Sequence, residues 1–176
     1  HSHPCHIIGP DVIRQGTGEH QNPMDTRLRT KEEACYTIKM NRLALRFYPL
    51  LYPAVYYMLQ KAEKSKLKNK EKQAALSHQL QTDVIPFGAC LIFTPLFAEK
   101  EEKAFDPETQ FFYEEYILAL RCRRKNYKIV YDPSMTVYHE SGAATKKSYS
   151  TEKKRIRFML EKTAAACEVY LEMLGE

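Results

Sequence analysis

The chain has 176 residues, 44% of them hydrophobic and 28% charged, a balance that excludes a disordered chain and allows one domain with a real core. A net charge of +5 suits an anionic partner such as a sugar nucleotide or a lipid phosphate, but the basic residues are spread and accompany no nucleic-acid motif, so nucleic acid is not the expected partner. The five cysteines (Cys5, Cys35, Cys90, Cys122 and Cys167) include no Cys-x-x-Cys pair, which argues against a zinc or dithiol site. They read as reduced thiols of an intracellular protein, with Cys90, Cys122 and Cys167 as small apolar fillers. The polar start, His1 to His6, does not read as a signal peptide. The longest apolar stretch, Phe47 to Leu59, carries two prolines and falls short of the ~20 residues a membrane span needs.

Along the chain, Cys5 to Ile8 predicts a buried strand stopped by the turn Gly9-Pro10. Asp11 to Glu33 is polar and turn-rich and reads as a loop or a poorly ordered lid; Gly16-Thr17-Gly18 in it reads as flexibility. Cys35 to Gln60 predicts helical segments broken or kinked near Pro49 and Pro53. With its aromatic residues beside Lys39, Arg42 and Arg46, it reads first as a helix packed on the domain or on a dimer partner, and second as one lying in a membrane interface. Lys61 to Lys72 is a solvated helix end or linker. Val84 to Thr94 predicts a strand with an irregular start. Phe105-Asp106-Pro107 predicts a turn, and Phe111 to Arg124 a helix. Lys128 to Tyr131 and Met135 to His139 predict two strands around the turn Asp132-Pro133-Ser134. Ser150 to Leu174 predicts a helix capped by Ser150 or Thr151, with an apolar stripe through Ile156, Leu160, Ala164, Cys167 and Tyr170. The class is α/β. In segments, 1–34 is strand and loop, 35–80 a helical insertion with a charged linker, 81–145 the segment with the chemistry, and 146–176 the terminal helix, all within one partial domain.

Four features near one another could carry chemistry: Phe87-Gly88-Ala89-Cys90, Phe105-Asp106-Pro107-Glu108, Tyr113-Glu114-Glu115, and Val137 to Gly142 with His139. A glycine lets backbone approach a ligand. A carboxylate at a helix start can take a proton from an attacking hydroxyl. A histidine at a strand's end can face the ligand crevice and bind a divalent metal. Each feature alone has a structural reading: a helix cap, a hydrogen-bonded edge residue, a bulge.

Together, Gly88-Ala89, Phe105-Asp106, Phe111-Phe112-Tyr113, Glu114-Glu115, Arg121, Tyr127 to Pro133 and His139 resemble, in order and spacing, the C-terminal half of family 2 glycosyltransferases of the rhamnosyltransferase-like kind. Ile7-Ile8-Gly9-Pro10 resembles the strand that follows that family's Asp-x-Asp region. The resemblance implies part of a GT-A sheet with flanking helices. It implies an inverting transfer from a nucleotide-sugar donor to a glycan or lipid-linked acceptor in surface polysaccharide synthesis, in the cytoplasm or at the inner face of the membrane. Glu115 would be the general base, with Glu114 and Arg121 at supporting positions. Gly88 and Ala89 would line the acceptor and donor-sugar pocket, Asp106 would shape the acceptor side, and His139 would ligate a divalent metal (Mg or Mn) or contact the diphosphate.

Two residues depart from the family pattern: Glu115 stands for the usual Asp, one methylene longer and able to displace a base by about an ångström, and Ile117 stands where another Asp is frequent. No Asp-x-Asp, Gly-x-Gly-x-x-Gly or Walker spacing occurs. The expectation is therefore an acceptor-side portion without the nucleotide-binding half, unable to transfer sugar by itself. An exposed sheet edge would then favour homodimers or swapped elements. The alternative is a non-catalytic interaction or membrane-associating module in which Glu115 only caps a helix.

Overall fold

The computed structural model describes residues 4–74, 79–105, 107, 109, 112–140 and 149–175, apart from the side chains of 49 and 62–74. The architecture is mixed α/β: a four-stranded mixed sheet with helices. Two units make it up. One comprises His1–Leu28, Lys72–Asp106 and Glu114–Ser141; the other comprises Arg29–Glu71, Pro107–Tyr113 and Gly142–Glu176.

The first unit holds the sheet. Its strands are β1 (Ile7–Arg14), β2 (Gln81–Thr82), β3 (Ile92–Phe93) and β4 (Ile129–His139), in the order β2-β4-β1-β3. β1 runs parallel to β4 and antiparallel to β3, and β2 is antiparallel to β4. Two short connecting helices, α2 (Pro95–Ala98) and α3 (Glu114–Arg124), belong to the same unit. Ile7, Val12, Ile85, Ile117, Leu118 and Tyr131 are almost fully buried in its core.

Gly9-Pro10 does not stop β1, contrary to the turn expected there. The strand continues to Arg14, and the irregularity appears as a register shift between Pro10 and Asp11. Opposite it, Asp132 pairs with Pro10 and Thr136 with Asp11, so three residues of β4 bulge out. The expected turn Asp132-Pro133-Ser134 is that bulge, with the Ser134 N–H and hydroxyl both donating to Asp132 Oδ1. What read as two strands is one irregular strand.

Asp11 to Glu33 is likewise no loose lid. Its first residues lie in β1, His20 bridges back to Ile13, Asp25 bridges Ile85, and Gln21 and Asn22 are buried. The strand expected over Val84 to Thr94 is also corrected. Pairing is confined to 81–82, Ile85 and 92–93, with Phe87 to Cys90 as an irregular turn between.

The second unit is helical. Its helix α1 (Lys31–Ala74) opens with a capping box: the Glu33 N–H donates to Thr30 Oγ1 and the Thr30 N–H to Glu33 Oε2. It is interrupted at Leu51, where φ −109 and ψ 17 leave the helical region. The cause is the proline pair: Pro53 lacks an N–H, and its ring crowds the carbonyl four residues back. The charged run after Lys61 keeps a helical backbone to Ala74. The last helix, α4 (Glu152–Gly175), is capped by Thr151 Oγ1, which accepts from the Lys154 N–H. Tyr48, Ile156 and Leu160 form an apolar cluster joined by Tyr52, Val55 and Leu59, and the Tyr48 hydroxyl donates to Lys153 O at 2.6 Å. Cys167 and Tyr170 are fully buried, and the Tyr113 ring meets that of Tyr170 edge-on. No helix among the described residues is long and apolar enough to cross a membrane.

Candidate functional site

The irregular point of β1 at Pro10, opposite the bulge in β4, sets up the wall of the site. A bulge leaves backbone groups off the ladder, and buried ones must find partners elsewhere. The Pro10 carbonyl accepts from Asn22 Nδ2 at 2.7 Å, and Asn22 Oδ1 accepts the Phe87 N–H at 3.1 Å. One buried side chain thus fixes the strand's irregular point and the start of the Phe87-Gly88 turn. Gly9 makes this fit possible: a Cβ there would lie 2.6 Å from Asn22 Nδ2.

The next residue, Gly88, donates its N–H to Glu115 Oε1 at 3.2 Å. The contact is close enough that a Cβ on Gly88 would lie 2.6 Å from that oxygen. Glu115 sits in the first turn of α3 and is half-buried. Burial pushes its pKa up. Its own backbone N–H and that of Gly88 pull it down, and the charge of Glu114 pushes it up. The Tyr116 hydroxyl, next in the helix, donates to Asp25 Oδ2 at 3.0 Å and ties the start of α3 to the segment after β1.

His139, at the end of β4, meets the Phe87 ring edge-on with centroids 5.8 Å apart. Phe87-Gly88 therefore joins two of the sequence-predicted residues, touching His139 through one residue and Glu115 through the other. Ala89 is exposed on the same turn. Asp106, together with Glu108, lies outside the described residues.

Arg121 is placed elsewhere. In the last turn of α3 it donates to Glu101 Oε2 at 3.0 Å and to the carbonyls of Lys103 and Ala104, both at 3.2 Å. Glu101 also receives Lys125, and these partners lower its pKa, the Lys125 hydrogen bond most of all. Arg121 thus holds the 101–104 segment against the helix.

Sequence reasoning missed Asp11, His20 and Tyr131. Asp11 is buried, and His20 Nδ1 lies 2.8 and 2.9 Å from its two carboxylate oxygens. Burial, and then the Asp11 charge and hydrogen bond, push the Tyr131 phenol up to about 12. The available signal was the apolar pair Val12-Ile13 after Asp11, which marks a continuing strand with one acidic residue turned inward.

Among the described residues, no group of three or more His, Cys, Asp or Glu side chains could hold a metal ion. His139 belongs to no such group, and this chain's described residues do not fit a metal site by themselves. Comparison with family models, with curated proteins and with solved structures found no match.

Proposed function

We propose that the first unit is the acceptor side of an inverting glycosyltransferase of the family 2, GT-A type, with Glu115 as general base. The observation that carries this reading is the Glu115 carboxyl group: half-buried, held by the Gly88 N–H, and raised in pKa by desolvation. A base works best when its pKa approaches the operating pH, and burial moves Glu115 in that direction. In the reaction, an acceptor hydroxyl gives its proton to Glu115 while its oxygen bonds to the anomeric carbon. The bond from that carbon to the departing nucleoside diphosphate breaks, and the configuration inverts. Gly88 and Ala89, exposed on the turn, offer a wall without side-chain bulk. His139 lies beside Phe87, and on this reading it contacts the diphosphate. The donor is a nucleotide sugar and the acceptor a glycan or lipid-linked glycan, used on the cytoplasmic side in surface polysaccharide synthesis.

The test is product formation by Glu115→Gln in the longest form of the protein that expresses. Transfer should fall by roughly 10²–10⁴-fold with the folding transition intact. Full activity in that variant removes the reading. One observation favours a second one. Glu114 and Glu115 in the first turn of α3, with Arg121, Arg123 and Arg124 in its last, complement the helix dipole as purely structural charges do. On that reading the protein is an interaction module, and Glu115→Gln changes stability alone.

A further inference from the structure

We infer that the outward side of α1, in the helical unit, is a docking surface for an anionic phospholipid bilayer. This stands apart from the transferase reading, since it uses none of the residues around Glu115. A helix on a protein surface ordinarily buries one apolar stripe and shows a polar one. α1 carries two apolar stripes. One holds Tyr48, Tyr52, Val55 and Leu59, packed around the Ile156–Leu160 cluster. The other stays exposed: Tyr36, Leu43, Phe47 and Leu50 recur at i, i+7, i+11 and i+14, a spacing that keeps them on one side of a helix. Beyond the Leu51 kink, Tyr57 and Met58 continue the exposed set. Leu50 is 82% exposed and Tyr57 67%, far beyond the scattered single apolar residues of an ordinary surface.

Charge selects the occupant. Between Ala34 and Ala62 the sequence has Lys39, Arg42, Arg46 and Lys61 and no Asp or Glu. The Arg46 guanidinium carbon lies 5.9 Å from the Phe47 ring centroid, so a cation borders the apolar stripe. Lys39, Arg42 and Arg46 also line, together with Ile38, Leu43 and Leu171, an apolar groove of about 590 Å³; its one carboxylate, Glu168, is ion-paired with Arg42. Apolar and aromatic side chains flanked by cations, on a helix of low overall hydropathy, match the boundary between acyl chains and anionic headgroups. A second copy of the chain fits less well. Two-fold pairing of this face would set the cations of one copy against those of the other, with no carboxylate in the stretch to neutralise them.

The test is sedimentation of the full chain with vesicles of phosphatidylglycerol and phosphatidylcholine, and with phosphatidylcholine alone. Binding to the anionic vesicles only, abolished by high salt, is expected. Lys39→Gln with Arg46→Gln should weaken it about 25-fold at low salt, taking roughly fivefold per cation. Leu50→Asp with Tyr57→Asp should reduce it to background, while circular dichroism stays unchanged because both positions are exposed. Three results overturn the inference: no binding to anionic vesicles, equal binding to both vesicle types, or binding that neither double variant changes. A dimer in light scattering that Leu50→Asp/Tyr57→Asp splits, with vesicles left unbound, assigns the face to a second copy instead.

Discussion

At one end of α3, Glu115 is half-buried beside another carboxylate, receives the Gly88 N–H, and has its pKa raised; near the other end, Glu101 receives Arg121 and Lys125 and has its pKa lowered. The two side chains are chemically identical, so the difference lies in their partners. Cations and convergent donors favour the ionised form of Glu101, which ties a loop to a helix. Desolvation and a like charge make Glu115 ready to accept a proton. The comparison separates a structural carboxylate from a candidate reactive one.

The largest expected effect breaks the structural end. Arg121→Leu removes the donors to Glu101, Lys103 and Ala104 and should destabilise the protein by about 2–3 kcal/mol in urea unfolding. Arg121→Lys should recover less than half of that, because an ammonium cannot span three acceptors as a planar guanidinium does. A neutral Arg121→Leu would mean that the 101–104 segment is held by something else, and the contrast with Glu115 would lose its structural side.

The helices were the most legible part of the sequence. Pro49 and Pro53 announced the interruption of α1, and the stripe from Ile156 to Tyr170 announced α4, because proline geometry and the 3.6-residue period act locally. The capping box Thr30-x-x-Glu33 was equally readable and marks the start of α1 at Lys31, ahead of the boundary expected at Cys35. The sheet was poorly legible. Gly9-Pro10 and Asp132-Pro133-Ser134 look like turns in isolation, and only their pairing in adjacent parallel strands makes them a matched bulge. Of the candidate site, Glu115, Gly88 and His139 were named from sequence. Asn22 was not: its role depends on bonding a carbonyl twelve residues back and an N–H sixty-five residues on, which no local pattern encodes.

A smaller effect sharpens the reactive end. Gly88→Ala drives a Cβ toward the Glu115 carboxylate, the far end of a side chain that can swing away, so the cost should be about 1 kcal/mol. In a Glu115→Ala background the same change should cost close to nothing, and a double-mutant cycle isolates the contact. In Gly88→Ala alone, carbon NMR titration should find the Glu115 pKa higher still, because the displaced carboxylate loses the N–H that lowers it. Equal costs in both backgrounds would mean that Gly88 is required by its own backbone and not by its neighbour.

The smallest effect is one of sign. A carboxyl group with a raised folded-state pKa favours folding fully below its unfolded pKa and loses that contribution as pH rises through the folded value; Glu115 belongs to this kind. Glu101, with a lowered pKa, stabilises above the unfolded carboxylate pKa and fades as pH falls through its folded value. Glu115→Gln, which keeps an oxygen for the Gly88 N–H but carries no charge, should therefore be more stable than the parent at pH 7, and the gap should close toward pH 4. Glu101→Gln should do the reverse, less stable at pH 7 and converging with the parent in acid. Unfolding curves of the three proteins at both pH values decide it: if the two substitutions shift stability in the same direction at pH 7, the ends of α3 do not differ as their partners imply.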